Sequence, residues 1–325
     1  SGLVTTEGGG TASFTVVLNA EPTADVTIDL TSSDTTEGTV SPTSLTFTAG
    51  NWDTPQTVTV TGVDDPAADG SIAYTIQTAA AVSADADFNG LNAADVAVSN
   101  QDDDTVGVTV SPTSGLVTTE AGGTASFTIV LNTLPSGDVT IGVSSSNVDE
   151  GTVSPASVTF TPATWNVAQT ITVTGVNDAL DDGDVAYTIA TASATSTDLN
   201  YNGFDADDVS VTNTDDDVSG VTVDPTSGLT TTEAGGTATF SVVLTAEPTA
   251  GVDITLTSSD TTEGDVSAAS VSFTALNWNV AQTVTITGAN DALDDGDVAY
   301  TIVTGNATSA DGNYDGVVVD DVSVT

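Results

Sequence analysis

Hydrophobic and polar residues alternate along most of the chain, in short runs that are rich in valine, isoleucine and threonine. In the first hundred residues these runs are TASFTVVL (11–18), DVTIDL (25–30), SLTF (44–47), QTVTVTGV (56–63), IAYTI (72–76) and DVAVS (95–99). A period of two in β-branched residues, bounded by Gly, Pro, Asn and Asp, is typical of β-strands. About seven short strands in about 100 residues predict a Greek-key β-sandwich.

The pattern occurs three times at a constant offset of 113 residues, as the positions Trp52, Trp165 and Trp278 show. We therefore expect three tandem all-β, Ig-like sandwich domains, 1–104, 105–217 and 218–325, which we call modules 1, 2 and 3. Each sandwich should span about 30–40 Å, so that the array forms an elongated rod. The strand GVTV (107–110) opens module 2 and has a counterpart in module 3, but none in module 1.

Composition excludes most kinds of chemistry. The chain has 46 acidic residues, no Lys, Arg, His, Cys or Met, and a formal net charge of -46. Without cations it is not expected to bind nucleic acid or an anionic membrane surface. Nucleophilic triads, disulfides and His or Cys zinc sites are excluded as well. With 38% hydrophobic residues it is not a disordered acidic tail.

The acidic residues are clustered rather than evenly spread. Each module has a Glu before a Gly-rich turn, an acidic loop after the third strand and a second one after the fifth. An Asp triplet lies in each of the two connectors between modules, residues 100–113 and 213–226. Adjacent carboxylates repel one another, which a divalent cation relieves. Calcium accepts about 6–8 oxygen ligands in flexible geometry, whereas magnesium requires a tighter octahedron. For the triplet alone, a solvated acidic hinge is the alternative.

The segments TEGGGTASFTVVL and TVTVTGVDDPAAD, followed by D-D-D, resemble the Calx-β domain along each whole module. The resemblance implies calcium ions at one end of the sandwich, beside the connector. The implied ligands are Glu7, Asp64, Asp65, the carbonyl of Ala67, Asp69, Asp102, Asp103 and Asp104 in module 1; Glu120, Asn177, Asp178, the carbonyl of Leu180, Asp182, Asp215, Asp216 and Asp217 in module 2; and Glu233, Asn290, Asp291, Leu293 and Asp295 in module 3. Further acids complete the shell: Asp34, Glu37, Glu150, Asp260 and Glu263.

Two departures from the family pattern lower the expected number or strength of the ions. Ile72, Val185 and Val298 stand where the family has a further acid, and Asn177 and Asn290 replace the first Asp of the loop. The third site is expected to be incomplete unless a following segment supplies a triplet. A second acidic patch before the last strand, which includes Asp85 and Asp87, could hold a further calcium or form plain turns.

These features favour an extracellular structural protein rather than an enzyme. A carboxylate pair is the one catalytic device the composition leaves, and threefold repetition of the same acids argues against a unique site. Extracellular calcium modules bind with Kd of about 10⁻⁴–10⁻³ M, and a chain without Cys or Met suits an oxidising exterior. The leading hypothesis is a subunit or segment of a surface filament; the alternative is the stalk of a large adhesin, whose binding target the sequence does not define.

The partners expected for such a chain are copies of itself or further repeats of the same array. The absence of GVTV from module 1 suggests strand donation by a neighbour. The chain also begins and ends out of phase with its own repeat, which fits covalent continuation of the array or a simple segment boundary equally well.

Overall fold

The protein is described by a computed structural model that covers residues 2–290 and 296–325. Over these ranges the secondary structure consists of strands, turns and loops, with no helix suited to crossing a membrane. The strands form two sheets in each module, and each module has its own cluster of buried apolar side chains.

Module 1 contains nine strands. They are β1 (Leu3–Thr6), β2 (Thr11–Val16), β3 (Val26–Ser32), β4 (Gly38–Ser41), β5 (Ser44–Phe47), β6 (Gln56–Gly62), β7 (Ile72–Thr78), β8 (Val82–Ser83) and β9 (Val96–Gln101). One sheet has the order β1-β9-β7-β3-β5, with β8 paired to β3, and the other has the order β2-β6-β4. The β1–β9 pair is parallel, so Glu7 after β1 lies beside the connector that follows β9.

Module 2 repeats this arrangement and adds one edge strand. Its strands are β10 (Val108–Ser111), β11 (Leu116–Thr119), β12 (Thr124–Leu131), β13 (Val139–Ser145), β14 (Gly151–Ser154), β15 (Ser157–Phe160), β16 (Gln169–Gly175), β17 (Val185–Thr191), β18 (Thr195–Ser196) and β19 (Val209–Thr214). The sheets have the orders β11-β19-β17-β13-β15 and β10-β12-β16-β14. The added strand, β10, comes directly from the connector.

Module 3 has the same edge strand. Its strands are β20 (Val221–Asp224), β21 (Thr237–Leu244), β22 (Val252–Ser258), β23 (Gly264–Val266), β24 (Ser270–Phe273), β25 (Gln282–Gly288), β26 (Tyr300–Thr304), β27 (Thr308–Ser309) and β28 (Val322–Val324). The sheets have the orders β20-β21-β25-β23 and β24-β22-β26-β28. Leu229 makes a single parallel bridge to Val324, where modules 1 and 2 have a full strand pair.

Alternation along the strands builds the core between the two sheets. In β6 the side chains of Val58 and Val60 are fully buried, while the threonines between and beside them are more exposed. Each removal of a valine or phenylalanine side chain from water contributes about 1.5–3 kcal/mol. The predicted fold class, an all-β chain of tandem Greek-key sandwiches, is confirmed.

The aromatic residues that recur at the 113-residue offset pack within the sandwiches. Tyr74, Tyr187 and Tyr300 are 5–6% exposed inside the sandwich. Trp165 and Trp278 are partly buried against the cores of their modules.

Candidate metal centre

Two carboxylate clusters form at the connector end of module 1. The connector cluster consists of Glu7, Asp102 and Asp104; the loop cluster consists of Glu37, Asp65 and Asp69. In each cluster one oxygen per residue lies within 4.8 Å of the others. Module 2 has a connector cluster of Glu120, Asp215 and Asp217, and a loop cluster of Glu150, Asp178 and Asp182.

The backbone after β1 places Glu7 inside the connector cluster. The Glu7 amide donates to the carbonyl of Gln101 at 3.0 Å, which continues the parallel β1–β9 pairing by one residue. The chain then turns back through Gly9, whose φ of +81° favours glycine. A side chain at Gly8 would come within 3.2 Å of an Asp103 carboxylate oxygen, so the Gly-rich turn lets the triplet approach closely.

The glutamate of each connector cluster is buried with an unsatisfied oxygen. Glu7 is 1% exposed and Glu120 is 2% exposed. Among the residues that the structure describes, Glu7 Oε2 and Glu120 Oε2 are the buried side-chain polar atoms without a hydrogen-bond partner. A buried, unpaired carboxylate oxygen is costly, and paired or metal-bound ones are the rule. In each connector cluster the glutamate lies beside two further carboxylates, so a cation is the partner whose charge fits.

The pKa of Glu7 is raised from 4.5 to about 7, mainly by burial and in smaller part by the charges of Asp102, Asp65 and Asp69, against a backbone hydrogen bond from Asp103 that lowers it. Burial likewise raises the pKa of Glu120 to about 7. Both clusters therefore act on the same glutamate, because Asp65 and Asp69 belong to the loop cluster. The protein holds these carboxylates in a place that disfavours their charge unless a cation joins them.

The loop cluster shows the same electrostatic pattern. Burial raises the pKa values of Glu37 and Asp69, and neighbouring aspartates add to the effect in both cases. In the connector cluster, burial raises the pKa of Asp104, and the charges of Asp102 and Asp103 add to this effect. An ion bound in either cluster would lower the repulsion felt in the other.

The donor set fits calcium. It consists of carboxylates, with backbone carbonyls and water available to complete the shell, and contains no nitrogen or sulfur ligand that would favour zinc. Three carboxylates in each cluster supply at least three of the about 6–8 oxygen ligands that calcium accepts.

The acidic loop, residues 64–70 in module 1, connects the two clusters to each other and to the next module. Gly70 donates its N–H to Asp102 Oδ2 at 2.7 Å, and Ala67 donates its N–H to Asp65 Oδ1 at 2.8 Å. The carbonyls of the same loop accept hydrogen bonds from module 2: Pro66 from the Leu134 N–H at 2.7 Å, and Ala68 from Asn200 Nδ2 at 3.0 Å.

The junction between modules 2 and 3 repeats these contacts in residues 177–183. The carbonyl of Ala179 accepts from the Glu247 N–H at 2.6 Å, and the carbonyl of Asp181 accepts from Asn313 Nδ2. Asp181 Oδ2 also accepts from the Ser219 N–H at 2.8 Å. The segment that carries two carboxylates of the loop cluster thus also makes hydrogen bonds to the next module.

Several predicted ligands lie outside the two clusters. Asp64 and Asp103 are exposed, although both raise the pKa of nearby Asp104. Asp34 accepts hydrogen bonds from the N–H and hydroxyl of Thr36, which lower its pKa, and its turn repeats at Asp260. Asp216 donates a backbone hydrogen bond to Glu120, in the role that Asp103 has for Glu7.

The predicted main-chain carbonyl ligands and the predicted ligand at the start of the acidic loop of module 2, Asn177, stay predictions. Ala67 and Leu180 contact the loop cluster through N–H groups that hydrogen-bond to Asp65 and Asp178, and the ligand role of their carbonyls is not tested by these contacts. Asn177 donates its side-chain amide to the carbonyl of Asp178 at 2.6 Å.

Module 3 differs at the corresponding place. Asp291, Leu293 and Asp295 lie outside the described residues, and Asn290 is the last residue before them. Glu233 is exposed, in contrast to Glu7 and Glu120. It lines a cavity of about 480 Å³ together with Glu263 and Asp297.

The second acidic patch consists of turn-forming residues. Asp85 accepts hydrogen bonds from the N–H groups of Thr23 and Asp87, at 2.7 and 3.0 Å, and these bonds lower its pKa. Asp95 Oδ1 accepts from the Thr78 N–H at 2.9 Å. Asp198 and Asp311 have the same turn role in modules 2 and 3. Of the two interpretations left open by the sequence, these contacts support plain turns.

Sequence reasoning missed the residue that orients each loop-cluster glutamate. Asn100 is fully buried; its Nδ2 donates to Glu37 Oε2 at 3.4 Å and to the Val63 carbonyl at 3.0 Å, while its Oδ1 accepts from the Thr5 hydroxyl at 2.9 Å. Asn213 makes the same contacts in module 2. The recurrence of an Asn at the 113-residue offset was the available signal.

Replacing this asparagine should weaken the module and its metal site. In Asn100→Ala, Glu37, the Val63 carbonyl and the Thr5 hydroxyl each lose a buried partner, so we expect a loss of about 1–3 kcal/mol of unfolding free energy. Because such orienting residues typically affect metal affinity by about 10–100-fold, calcium affinity should fall in the same variant. Denaturant unfolding and calcium titration measure both effects, with the exposed Asn92→Ala as control. Equal behaviour of the two variants would contradict the orienting role.

Comparison with protein-family models gives no match, and no curated protein matches the chain. Among solved structures, the chain is similar to CBD12 from CALX1.2, with 13% identity over 67% of this chain and 98% of that chain and a TM-score of 0.32. It is also similar to domains 4–9 of the surface layer protein SbsC, with 16% identity over 95% of this chain and 40% of that chain and a TM-score of 0.26. At such values the function has to be derived from the residues of the chain itself.

Proposed function

We propose that the chain is a calcium-stiffened structural segment of an extracellular protein, in which Ca²⁺ fixes the joints between successive β-sandwiches. The observation that carries the proposal is the buried and unpaired oxygen of Glu7, repeated at Glu120, beside two aspartates of the connector. Hydrogen bonds alone leave this oxygen unsatisfied in two modules at the same place. A divalent cation satisfies it and removes the repulsion among the surrounding carboxylates.

Each cluster would hold one ion through its own carboxylates. Glu7, Asp102 and Asp104 join the end of β1 to the connector, while Glu37, Asp65 and Asp69 join the β3–β4 turn to the acidic loop. The ligands of one ion therefore come from segments far apart in sequence. Binding would restrain the connector and the acidic loop together, at the end of the module from which the next one continues.

The acidic loop transmits this restraint to the neighbouring module. Its carbonyls at Pro66 and Ala68 accept hydrogen bonds from module 2, and its Asp65 and Asp69 are ligands of the loop cluster. Without an ion, repulsion among these acids favours separation of the loop from the connector, and the contacts to module 2 loosen with it. With the ion bound, the joint is stiff.

The compartment follows from the ligand chemistry and the charge. A site of this kind is useful where calcium is millimolar, since extracellular modules bind with Kd of about 10⁻⁴–10⁻³ M. The net charge of -46 keeps neighbouring chains apart in solution, and trypsin-like proteases have no Lys or Arg at which to cleave. We propose a subunit or segment of a surface filament, without a catalytic role.

Calcium should narrow the range of distances between modules. Two spin-label pairs, Thr54→Cys with Val167→Cys and Val167→Cys with Val280→Cys, report on the two joints from exposed and equivalent positions, in a chain that has no cysteine of its own. We expect a broad distance distribution in metal-free buffer and a narrow one in millimolar calcium, measured by pulsed electron paramagnetic resonance, because the ion restrains the acidic loop.

A pair within module 2, Val167→Cys with Ser193→Cys, is the matched control and should not respond to calcium. Asn200→Ala in the labelled chain removes one inter-module hydrogen bond without removing a carboxylate of either cluster, and it should broaden the first distribution. If the distance distribution at each joint had the same width with calcium as without it, the stiffening mechanism would be overturned.

A further inference from the structure

The sheet edge formed by β2 in module 1 is open, whereas the equivalent edges of modules 2 and 3 are covered. In module 2 the edge strand β10 pairs with β12 from Val108↔Leu131 to Ser111↔Thr128. In module 3 the edge strand β20 pairs with β21 in the same register. Within residues 2–290 and 296–325, β2 pairs with β6 and has no neighbour on its other side.

The open edge leaves part of the core of module 1 uncovered. Phe14, Val16 and Leu18 are partly exposed. Their counterparts in modules 2 and 3 are at most 3% exposed; these are Phe127, Ile129, Leu131, Phe240, Val242 and Leu244. The strand itself is also shorter, because β2 ends at Val16 whereas β12 continues to Leu131. The sequence of module 1 supplies the same apolar residues, but nothing in the described chain covers them.

The missing element can be specified from the covered edges. Val110 and Val223 are 7% and 8% exposed and belong to the cores of modules 2 and 3. Val108 packs partly buried beside Val110. The element that fits the space above Phe14, Val16 and Leu18 is therefore an extended strand. Its sequence has the form Gly-Val-x-Val-x-Pro, with valine at alternate positions.

The backbone of module 1 presents matching hydrogen-bond groups. Asn132 donates its N–H to the carbonyl of Gly107 at 2.9 Å, at the start of the β10 pairing. The counterpart of Asn132 in module 1 is Asn19, which is exposed. By strand alternation, the amides of Thr15, Val17 and Asn19 face the open edge and lack a strand partner in the described part of the chain.

We propose that the open edge of β2 is a docking site for an extended connector strand of the Gly-Val-x-Val-x-Pro type, supplied by a repeat unit outside residues 1–325. The proposal is independent of calcium. A second copy of the chain is not the donor, because both of its connector strands already pair within their own modules. The edge continues the arrangement by which each later module receives its edge strand from the connector before it.

A synthetic peptide with the sequence of residues 105–113 is the probe. Added to the whole chain, it should slow hydrogen exchange of the amides at 15–19, without a change at 128–132, where β10 already covers the edge. It should also raise the lowest unfolding midpoint of the chain. The same peptide with Val108→Ser and Val110→Ser should bind at least about tenfold more weakly, since it no longer buries two valine side chains.

A chain with residues 105–113 duplicated ahead of residue 1 is the second variant. It should fold with the edge filled and no longer respond to the peptide. Sedimentation of the unmodified chain should show a monomer. The proposal is overturned if the peptide leaves exchange at 15–19 unchanged, if the serine peptide binds equally well, or if the chain dimerises and protects the same amides, which would assign the edge to a second copy.

Discussion

Saturating calcium is expected to raise the unfolding midpoint of modules 1 and 2 by about 10 °C or more. One ion at a hundred times its Kd adds about 2.7 kcal/mol of stability, and each kcal/mol shifts the midpoint of a domain of this size by about 4 °C or more. Module 3 should shift less, because its Glu233 is exposed whereas Glu7 and Glu120 are buried. Calorimetry at a series of calcium concentrations should therefore resolve two unfolding transitions. The midpoint of the transition of modules 1 and 2 should rise strongly with calcium, and that of module 3 should rise less.

The variant Glu7→Gln with Glu120→Gln gives the sharper form of this test. In metal-free buffer at pH 8, removing two buried and repelled charges should stabilise the chain relative to the unmodified protein. In calcium, the order should reverse, because each connector cluster has lost a charged ligand. A simple packing defect would lower stability in both buffers. Glu21→Gln, at an exposed glutamate outside the clusters, should change neither value.

The metal-free chain should lose stability as the pH rises from about 4.5 to about 7. The folded-state pKa of Glu7 is raised from 4.5 to about 7, so the folded chain binds more protons than the unfolded chain over this window. The contribution of Glu7 to stability is then fully present below pH 4.5, falls through the window and is lost above it. The corresponding upper limit is about 3 kcal/mol for each of Glu7 and Glu120.

Calcium should reverse this dependence, because the ion competes with protons for the same carboxylates and binds better as the pH rises. Below the window both forms should weaken again, since the pKa values of Asp34 and Asp85 are lowered by hydrogen bonds in the folded state. Denaturant unfolding at a series of pH values, with and without calcium, gives the two curves. A metal-free curve that rises between pH 4.5 and 7 would contradict the buried-charge account.

The fold could largely be read from the sequence because its signal is local and repeated three times. The period-two run at 56–63 became β6 (Gln56–Gly62), and the run at 25–30 became β3 (Val26–Ser32). A segment of two to four residues carries little pattern, and of the strands this short in module 1 the sequence predicted β5, the run at 44–47, but not β1, β4 or β8. Their pairings, above all the parallel β1–β9 pair, depend on contacts far apart in sequence.

The site was predicted as residues but not as an arrangement. The resemblance to the Calx-β domain implied that Glu7, the acidic loop and the triplet lie at the same end of the module, yet it did not separate two clusters. That separation depends on which carboxylate turns inward, and Asn100 decides this for Glu37 through a contact 63 residues away along the chain. The uncovered edge of β2 was visible as a missing GVTV, whereas the exposure of Phe14, Val16 and Leu18 required the folded module.

The central claim is that calcium occupies the carboxylate clusters where one module continues into the next. Anomalous diffraction from crystals grown in millimolar calcium tests it most directly, because it locates ions independently of any change in stability or shape. The account predicts peaks between Glu7, Asp102 and Asp104, and between Glu120, Asp215 and Asp217, with further peaks in the loop clusters. The claim would be contradicted if such a map showed no ion bound to the side chains of Glu7 and Glu120.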